Sequence, residues 1–517
     1  MSGAAEGSVR AVRTYLRSHG RAPATVLDRY VSLFALAMLL AVLGQPLSTM
    51  LGGLAGPVDP ARAGAGVALI ALALAGFLAA ARAAGPVLLP AADASWLLLS
   101  PLNRRRLLAR GGRALLVIAV VAGVLLGLGA LAVLGAPDQL VWRLLGALVL
   151  GVSVSVAGMA LAVLAQGSPS WQVWVTAATV ALLVLAVVAV SGQARTVLAA
   201  AASVPLPSLA AAASGAVVVS GLLVRQAWAS LSRIPTRTLL GSSTRAGHVA
   251  TAAVSLDPGA LTWIAEDNHW RARTLTSRRW PSLPAPLALA WQDWRRLARR
   301  PGRLAGVFGA VALPAVLAQA GAAPAVVGVM VLAGAMVAAA MGVSGTRRDG
   351  DNPALARLIG VGRRPALAAR ALLPVVLSGT WATLALAGLG ALAAFGAVAP
   401  ISGMPSAGVP AGALGAGWWL FGLLVAPALA AGALRMAERS PVDHSMPVID
   451  TPGGSIPTGP VIWAATGVDL AVLGCLPALA ALLSPPSAVG GLLMAQAVSG
   501  VLVLAGYVWR ARRKRAT

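Results

Sequence analysis

Lysine is nearly missing from this chain of 517 residues: of 40 basic side chains, only Lys514 is a lysine. A phosphate-binding loop of the form G-x-x-x-x-G-K-[ST] places its lysine at the β/γ-phosphates, and a lone Lys514 in a basic tail cannot do so. ATP hydrolysis of that kind by this chain alone is therefore excluded. Cysteine is equally scarce. With Cys475 as the single thiol, disulfides within the chain and cysteine-based metal sites are ruled out. Histidines number four, and His19, His248, His269 and His444 all fall in polar loops or tails, so no histidine relay crosses the apolar segments. Acidic residues number 15, and of these Asp469 alone lies inside a long apolar run. No nucleophile triad and no pair of catalytic carboxylates emerges. The run Glu266, Asp267, Asn268, His269 reads as solvated loop, because adjacent side chains rarely converge on one ion. The expectation is a chain with no cofactor, no metal and no catalytic site of its own.

What the chain has in abundance is apolar surface. It is 58% hydrophobic and only 11% charged, with mean hydropathy +0.83, which places it among integral membrane proteins. Crossing the hydrocarbon core as a helix takes about 20 apolar residues, since every backbone polar group must be bonded internally. That test gives runs at 30–51, 64–84, 113–136, 140–165, 171–191 and 206–226 in the first half. The second half adds 303–322, 325–345, 370–398, 410–433, 460–483 and 488–509. The fold class predicted is an all-α polytopic helical bundle of about 12 spans, six on each side of a polar segment over 227–302.

Charge placement tests the count. With both termini cytoplasmic, 37 of the 40 basic residues fall inside, leaving Arg62, Arg143 and Arg195 outside, as the positive-inside rule demands. The predicted organisation is a tail over 1–29, a six-span half over 30–226, a linker over 227–302, a second half over 303–509 and a basic tail over 510–517. The multi-pass location expected is the plasma membrane. The bias toward Arg, Ala and Gly points to a G+C-rich bacterial genome. Small residues four apart, Gly151 with Ser155 and Gly334, Ala338 with Gly342, predict close helix packing. Pro314, Pro427 and Pro477 interrupt second-half spans.

Within the central segment, Pro235, Gly241, Ser242, Ser243 and Gly247 read as linker. Farther on, Trp263, Trp270, Trp280, Trp291 and Trp294 are interleaved with arginines, which beside a membrane makes an interfacial anchor in preference to a nucleic-acid surface. Residues 287–300, LALAWQDWRRLARR, predict an amphipathic helix in the headgroup plane. Leu287, Trp291, Trp294 and Leu297 or Ala298 take its apolar face. Gln292, Asp293, Arg295, Arg296, Arg299 and Arg300 take the polar one, and Pro301 ends it. Asp469 has two readings: a proton or cation step, or a cap on the helix that follows Gly467.

Two semi-polar islands organise the chain, at 85–113 and 346–373. Each ends in an Arg cluster and then Arg-Ala-Leu-Leu, at Arg113 to Leu116 and at Arg370 to Leu373. The first island holds Asp93, Trp96, Leu97, Pro101, Arg104 and Arg105; the second holds Asp349, Asp351, Leu355, Arg357, Arg363 and Arg364. A Trp/Leu cluster on a loop without its own core either dips into lipid or enters a groove on a partner. The run LLLSPLNRR resembles the "Leu-Leu-x-x-Pro-x-x-Arg-Arg" segment of ABC-2 type exporter permeases, and the helix at 287–300 is similar to their connecting helix. The fused twelve-span arrangement and the stretch PVIDTPGGSIPTGP resemble exporter-like membrane proteins of actinobacteria. The resemblance implies the permease subunit of an ABC exporter, whose islands dock on a separate ABC ATPase subunit, in two copies, with the lipid bilayer as its other partner and no nucleic acid. Two alternatives stand beside it. One is a twelve-span secondary transporter of the major-facilitator kind, which ordinarily has a short loop where this chain has the first island. The other is a membrane-embedded transferase, which needs acidic or His residues clustered at one interface.

Overall fold

In the computed structural model the described residues are 60–89, 94, 103–135, 138–191, 197, 200, 204–244, 281–394, 417–440, 442, 446, 448–451, 454–483 and 489–511. The chain is an all-α, multi-pass membrane protein, and ten helices among the described residues are long and apolar enough to span. It divides into two compact units, Met1–His248 and Val249–Thr517.

The first unit contains α1 (Pro60–Ala84), α2 (Arg104–Leu134), α3 (Leu140–Gly167), α4 (Pro169–Val190) and α5 (Leu206–Ser230). The expected span at 30–51 lies outside the described residues. Helix α3 packs between α2 and α5, while α1 pairs with α4. Small residues cause the closest approach. A Cβ on Gly127 would lie 2.6 Å from the Ala147 carbonyl oxygen, and one on Gly151 would strike the backbone of Gly123 and Gly127. In lipid, where no hydrophobic force draws helices together, such backbone contact supplies the attraction. Gly151 therefore packs as the sequence indicates.

One expectation fails here. Residues 235–243 are not linker: a helix runs over 236–244, and Ile234 and Leu239 are fully buried in a cluster with Val87, Leu108 and Leu164. Ile234 and Leu239, with Leu240 packed against the same cluster, draw the segment into the unit, and Ser242 and Ser243 go with it.

The second unit begins with α6 (Ala285–Ala298), then α7 (Pro301–Gly309), a 3₁₀ turn (Ala310–Ala312) and α8 (Leu313–Gln319). It continues with α9 (Pro324–Met341), α10 (Ser344–Asp351), α11 (Pro353–Leu358), α12 (Arg363–Ala394) and α13 (Trp418–Ala437). A short antiparallel hairpin follows, β1 (Val448–Thr451) with β2 (Gly454–Pro457), built from the stretch PVIDTPGGSIPTGP with Val448 opposite Pro457. The chain then forms α14 (Thr458–Ala465), α15 (Val468–Gly474), α16 (Leu476–Leu483) and α17 (Val489–Arg510). Helix α13 is the axis, packed on α9, α12, α15 and α17. Pro427 sits inside it without ending it.

Among the described residues two of the expected spans are interrupted, and in both a neighbouring side chain completes the broken ladder. The α-helix gives way to the 3₁₀ turn four residues before Pro314, and the Val307 carbonyl accepts the indole N–H of buried Trp381 at 2.8 Å. Gly334 makes room for that indole, because its Cβ would collide with the ring of Trp381.

The expected span at 460–483 is a correction: it is three short helices broken at Thr466–Gly467 and at Cys475. Gly467 has φ +94, and a Cβ there would meet Met436, so the first break needs glycine on conformational and steric grounds. At the second break, fully buried Gln496 of α17 donates to the Gly474 carbonyl at 2.7 Å and accepts from the Ala478 N–H at 3.0 Å. Lipid offers no substitute for these bonds. Gln496→Leu is thus expected to cost about 1–3 kcal/mol, the penalty of a buried backbone donor left unmade. Thermal unfolding in detergent micelles measures it.

Candidate functional site

Among the described residues both islands lead into the longest helix of their unit, 31 residues for α2 and 32 for α12. In the first island Asp93, Trp96, Leu97 and Pro101 lie outside the described residues. Its opening is held by a side-chain amide that reads one backbone residue on both sides. Gln166 Oε1 accepts from Val87 N at 3.0 Å, and its Nε2 donates to the Val87 carbonyl at 2.9 Å. Ser243 Oγ accepts from Leu89 N at 3.0 Å. The Arg cluster is not loop: α2 begins at Arg104, nine residues before the expected span, with Asn103 Oδ1 accepting from Arg105 N at 3.1 Å as its cap. Arg105, Arg106 and Arg110 are exposed on its first turns, and Arg104 is half-buried.

The second island is fully described. Helices α10 and α11 meet at Asn352–Pro353, and Gly360, with φ +74, turns the chain into α12. Proline at the first position of α11 forces the break, since it has no N–H to continue α10. On α11 the apolar side chains point away from the protein. Leu355 is 60% and Leu358 82% exposed, with exposed Ile359 beside them, and Leu358 is the most exposed large apolar residue among those described. Charged Asp351, Arg357 and Arg363 flank this tip and are exposed as well. Asp349 and Arg364 are half-buried, and the Arg364 guanidinium lies 4.7 Å over the Trp509 ring.

Beneath the tip lies a buried ionic clasp. Arg370 Nη1 donates to Asp293 Oδ2 at 2.9 Å and to Oδ1 at 3.1 Å, and Nη2 lies 2.8 Å from Asp349 Oδ2. Arg296 approaches Asp293 at 3.7 Å. Two guanidinium groups thus balance two carboxylates. Arg370 and Asp293 are almost wholly buried, and Asp349 is about one-third exposed. One arginine therefore ties together the amphipathic helix α6, the island helix α10 and the long helix α12. Burial pushes the Asp293 and Asp349 carboxyls above the ordinary carboxylate range, opposed by the positive charge of Arg370. Gly345 is the steric condition for the clasp, because a Cβ there would collide with Arg370 Nη1 and Asp293 Oδ1.

This corrects the expected faces of the amphipathic helix. Asp293 is not on a solvated face. Leu289, Asp293 and Leu297 form its buried stripe, while Leu287 and Trp294 are exposed and Trp291, Arg295 and Arg296 are half-buried. The i, i+4, i+8 spacing of 289, 293 and 297 was the available signal, but a lone Asp between two leucines reads as polar until its cation is known. The echo between the islands is likewise unequal: Arg370 is buried, and its counterpart Arg113 is exposed.

Asp469 lies in the first turn of α15, about half exposed. Its Oδ1 accepts from Gly467 N at 2.8 Å, and its Oδ2 lies 2.9 Å from Arg435 Nη1. The cap reading has this geometry behind it, with an ion pair added. Among the described residues no group of three or more His, Cys, Asp and Glu side chains is placed to hold a metal ion.

The fold and these anchored islands define a class: a polytopic α-helical membrane protein with a rigidly tethered, apolar-tipped elbow between two of its spans. The chain belongs to a family of unknown function, DUF6297, which matches residues 58–447 and so takes in both islands and helix α6. No curated protein and no solved structure matches the chain.

Proposed function

We propose that the chain is the permease subunit of an ABC-type exporter in the plasma membrane, moving its substrate with ATP hydrolysed by a separate ABC ATPase. The observation that carries this reading is the short helix α11. Its exposed Leu355 and Leu358 sit among charged residues, a poor surface to leave in water and too polar a setting for the hydrocarbon core. A groove on a soluble partner is the setting that suits both. Both termini and both islands are cytoplasmic in this reading, which follows from the distribution of arginine.

The mechanism follows from the clasp. Closure of two ATPase subunits on ATP pushes the α11 tip, and Gly360 alone would let that motion dissipate in a hinge. Arg370 prevents this by binding α10 to α12 and α6, so the push is delivered to a 32-residue helix packed on the bundle axis. The first island offers Arg104 and Arg105 at the head of the equivalent helix. The absence of a phosphate-loop lysine makes a separate source of hydrolysis necessary.

Co-purification of the chain from its native membrane with an ABC ATPase subunit, followed by reconstitution of the pair, tests the reading. The expected result is a stable complex whose hydrolysis is stimulated by the permease, with stimulation lost when Arg104 and Arg105 are both changed to Glu. Transport by the chain alone in liposomes, driven by a proton gradient, would overturn it.

A further inference from the structure

The first unit has a polar cleft at the end of α1 that the exporter reading does not involve. Its volume is about 280 Å³, the space of several water molecules. Among the described residues its wall includes Arg82 from the last turn of α1, Gln166 from α3, Gln172 from α4, and Arg237 and Thr238 from the helix over 236–244.

The neutral polar groups of this wall are engaged within the protein. Gln166 uses its amide on Val87 and Ser242, Gln172 Nε2 donates to the Ala165 carbonyl at 3.2 Å, and the Thr238 hydroxyl donates to the Pro235 carbonyl at 2.7 Å. The two guanidinium groups are not engaged in this way. Arg82 Nη1 donates to Thr176 Oγ1 at 2.6 Å, which sets the side chain and uses one donor of its guanidinium fork. Arg237 makes no hydrogen bond or ion pair among the described residues, and neither arginine has an acidic partner there. The sequence bounds the charge independently. Segments 1–29, 82–113 and 225–248 together carry 15 arginines and three acids, Glu6, Asp28 and Asp93, and no acid lies within 140–190. Even if each of those acids held one arginine, most of the positive charge would stay unmatched.

Two cations without a counter-charge, set in a wall of satisfied neutral groups, select an anion. The depth of the cleft selects its kind. Arg82 closes α1 where Trp171 and exposed Trp174 open α4, and aromatic and basic side chains together mark the headgroup level of a bilayer. Basic pockets between helix ends at that level suit phosphate headgroups. We propose that this cleft binds a phosphate group, with Arg82 and Arg237 as its cationic contacts and an anionic phospholipid as its source. The site is independent of the ATPase-docking reading, and its test uses no ATPase.

The experiment is native mass spectrometry of the full chain from mixed micelles containing equal dioleoyl phosphatidylglycerol and dioleoyl phosphatidylcholine. Wild type should retain phosphatidylglycerol in preference to phosphatidylcholine. The Arg82→Gln/Arg237→Gln variant should lower that retention by about tenfold or more, the loss expected when charge-assisted contacts are removed. Arg237→Gln alone breaks no hydrogen bond among the described residues, so loss of the fold cannot account for its effect, which should be about threefold. Arg110→Gln/Arg225→Gln removes the same charge from exposed positions outside the cleft and should leave retention within about twofold. Millimolar inorganic phosphate in phosphatidylcholine micelles tells the sources apart: no retained phosphate assigns the site to the lipid, and a phosphate adduct that the Arg82/Arg237 variant loses assigns it to the free ion. Equal retention by wild type and the Arg82/Arg237 variant, or equal loss in both double variants, would overturn the proposal.

Discussion

Replacing Arg370 with methionine is expected to destabilise the second unit by about 3 kcal/mol, the lower end of the 3–5 kcal/mol typical when one partner of a buried ion pair is removed. The lower end is expected because Asp293, whose carboxyl burial already pushes upward, can take a proton once its guanidinium is gone. The sign of the pH dependence follows. A carboxyl raised above its unfolded value favours the fold when protonated, and that contribution is lost as pH rises through the folded-state value. In the variant Asp293 is raised further, so the stability gap from wild type should narrow on acidification and widen toward neutrality. Thermal unfolding in detergent across that range measures it, and a gap that grows as pH falls would contradict the clasp. Changing both partners, Asp293→Leu with Arg370→Met, should recover most of the loss, since a matched apolar pair removes the orphaned charge.

The clasp also shows what sequence can and cannot disclose. The spans were legible because a helix in lipid must be long and apolar, and ten such helices stand among the described residues. The close contact at Gly151 was legible because small residues four apart have one common use in a membrane. The breaks at Thr466–Gly467 and Cys475 were not. Hydropathy sums over a window, and Gln496, the side chain that makes the second break tolerable, lies in another span. The segment around Ser242 reads as linker for a related reason: its Ser and Gly content resembles linker, and only contact with Val87 and Gln166 shows why it is helical. Asp293 and Arg370, 77 residues apart, are each ordinary within their own helix. Their pairing is a tertiary fact. The exposed tip of α11 was half legible: Leu355, Arg357 and the arginines beyond belonged to the island, but the orientation of Leu358 needed the break at Pro353 and the turn at Gly360.

That tip carries the second large effect. If α11 docks on an ABC ATPase as proposed, Leu355→Glu/Leu358→Glu should abolish that docking while leaving the unfolding temperature of the isolated chain within error. Two side chains 60% and 82% exposed contribute almost nothing to their own fold. Buried in a partner's groove, apolar anchors of this kind are worth about 2 kcal/mol or more each, so the pair should weaken association by on the order of a thousandfold. Arg370→Met should separate from this variant in the opposite way. It leaves the tip intact and slackens its connection to α12, so the ATPase still binds while permease-stimulated hydrolysis and transport fall. Measuring affinity and stimulation on both variants distinguishes a surface that captures the partner from a linkage that transmits its motion. If the Leu355/Leu358 variant binds and couples like wild type, the elbow is not a docking element; if Arg370→Met couples normally despite its lost stability, the clasp only holds the fold together.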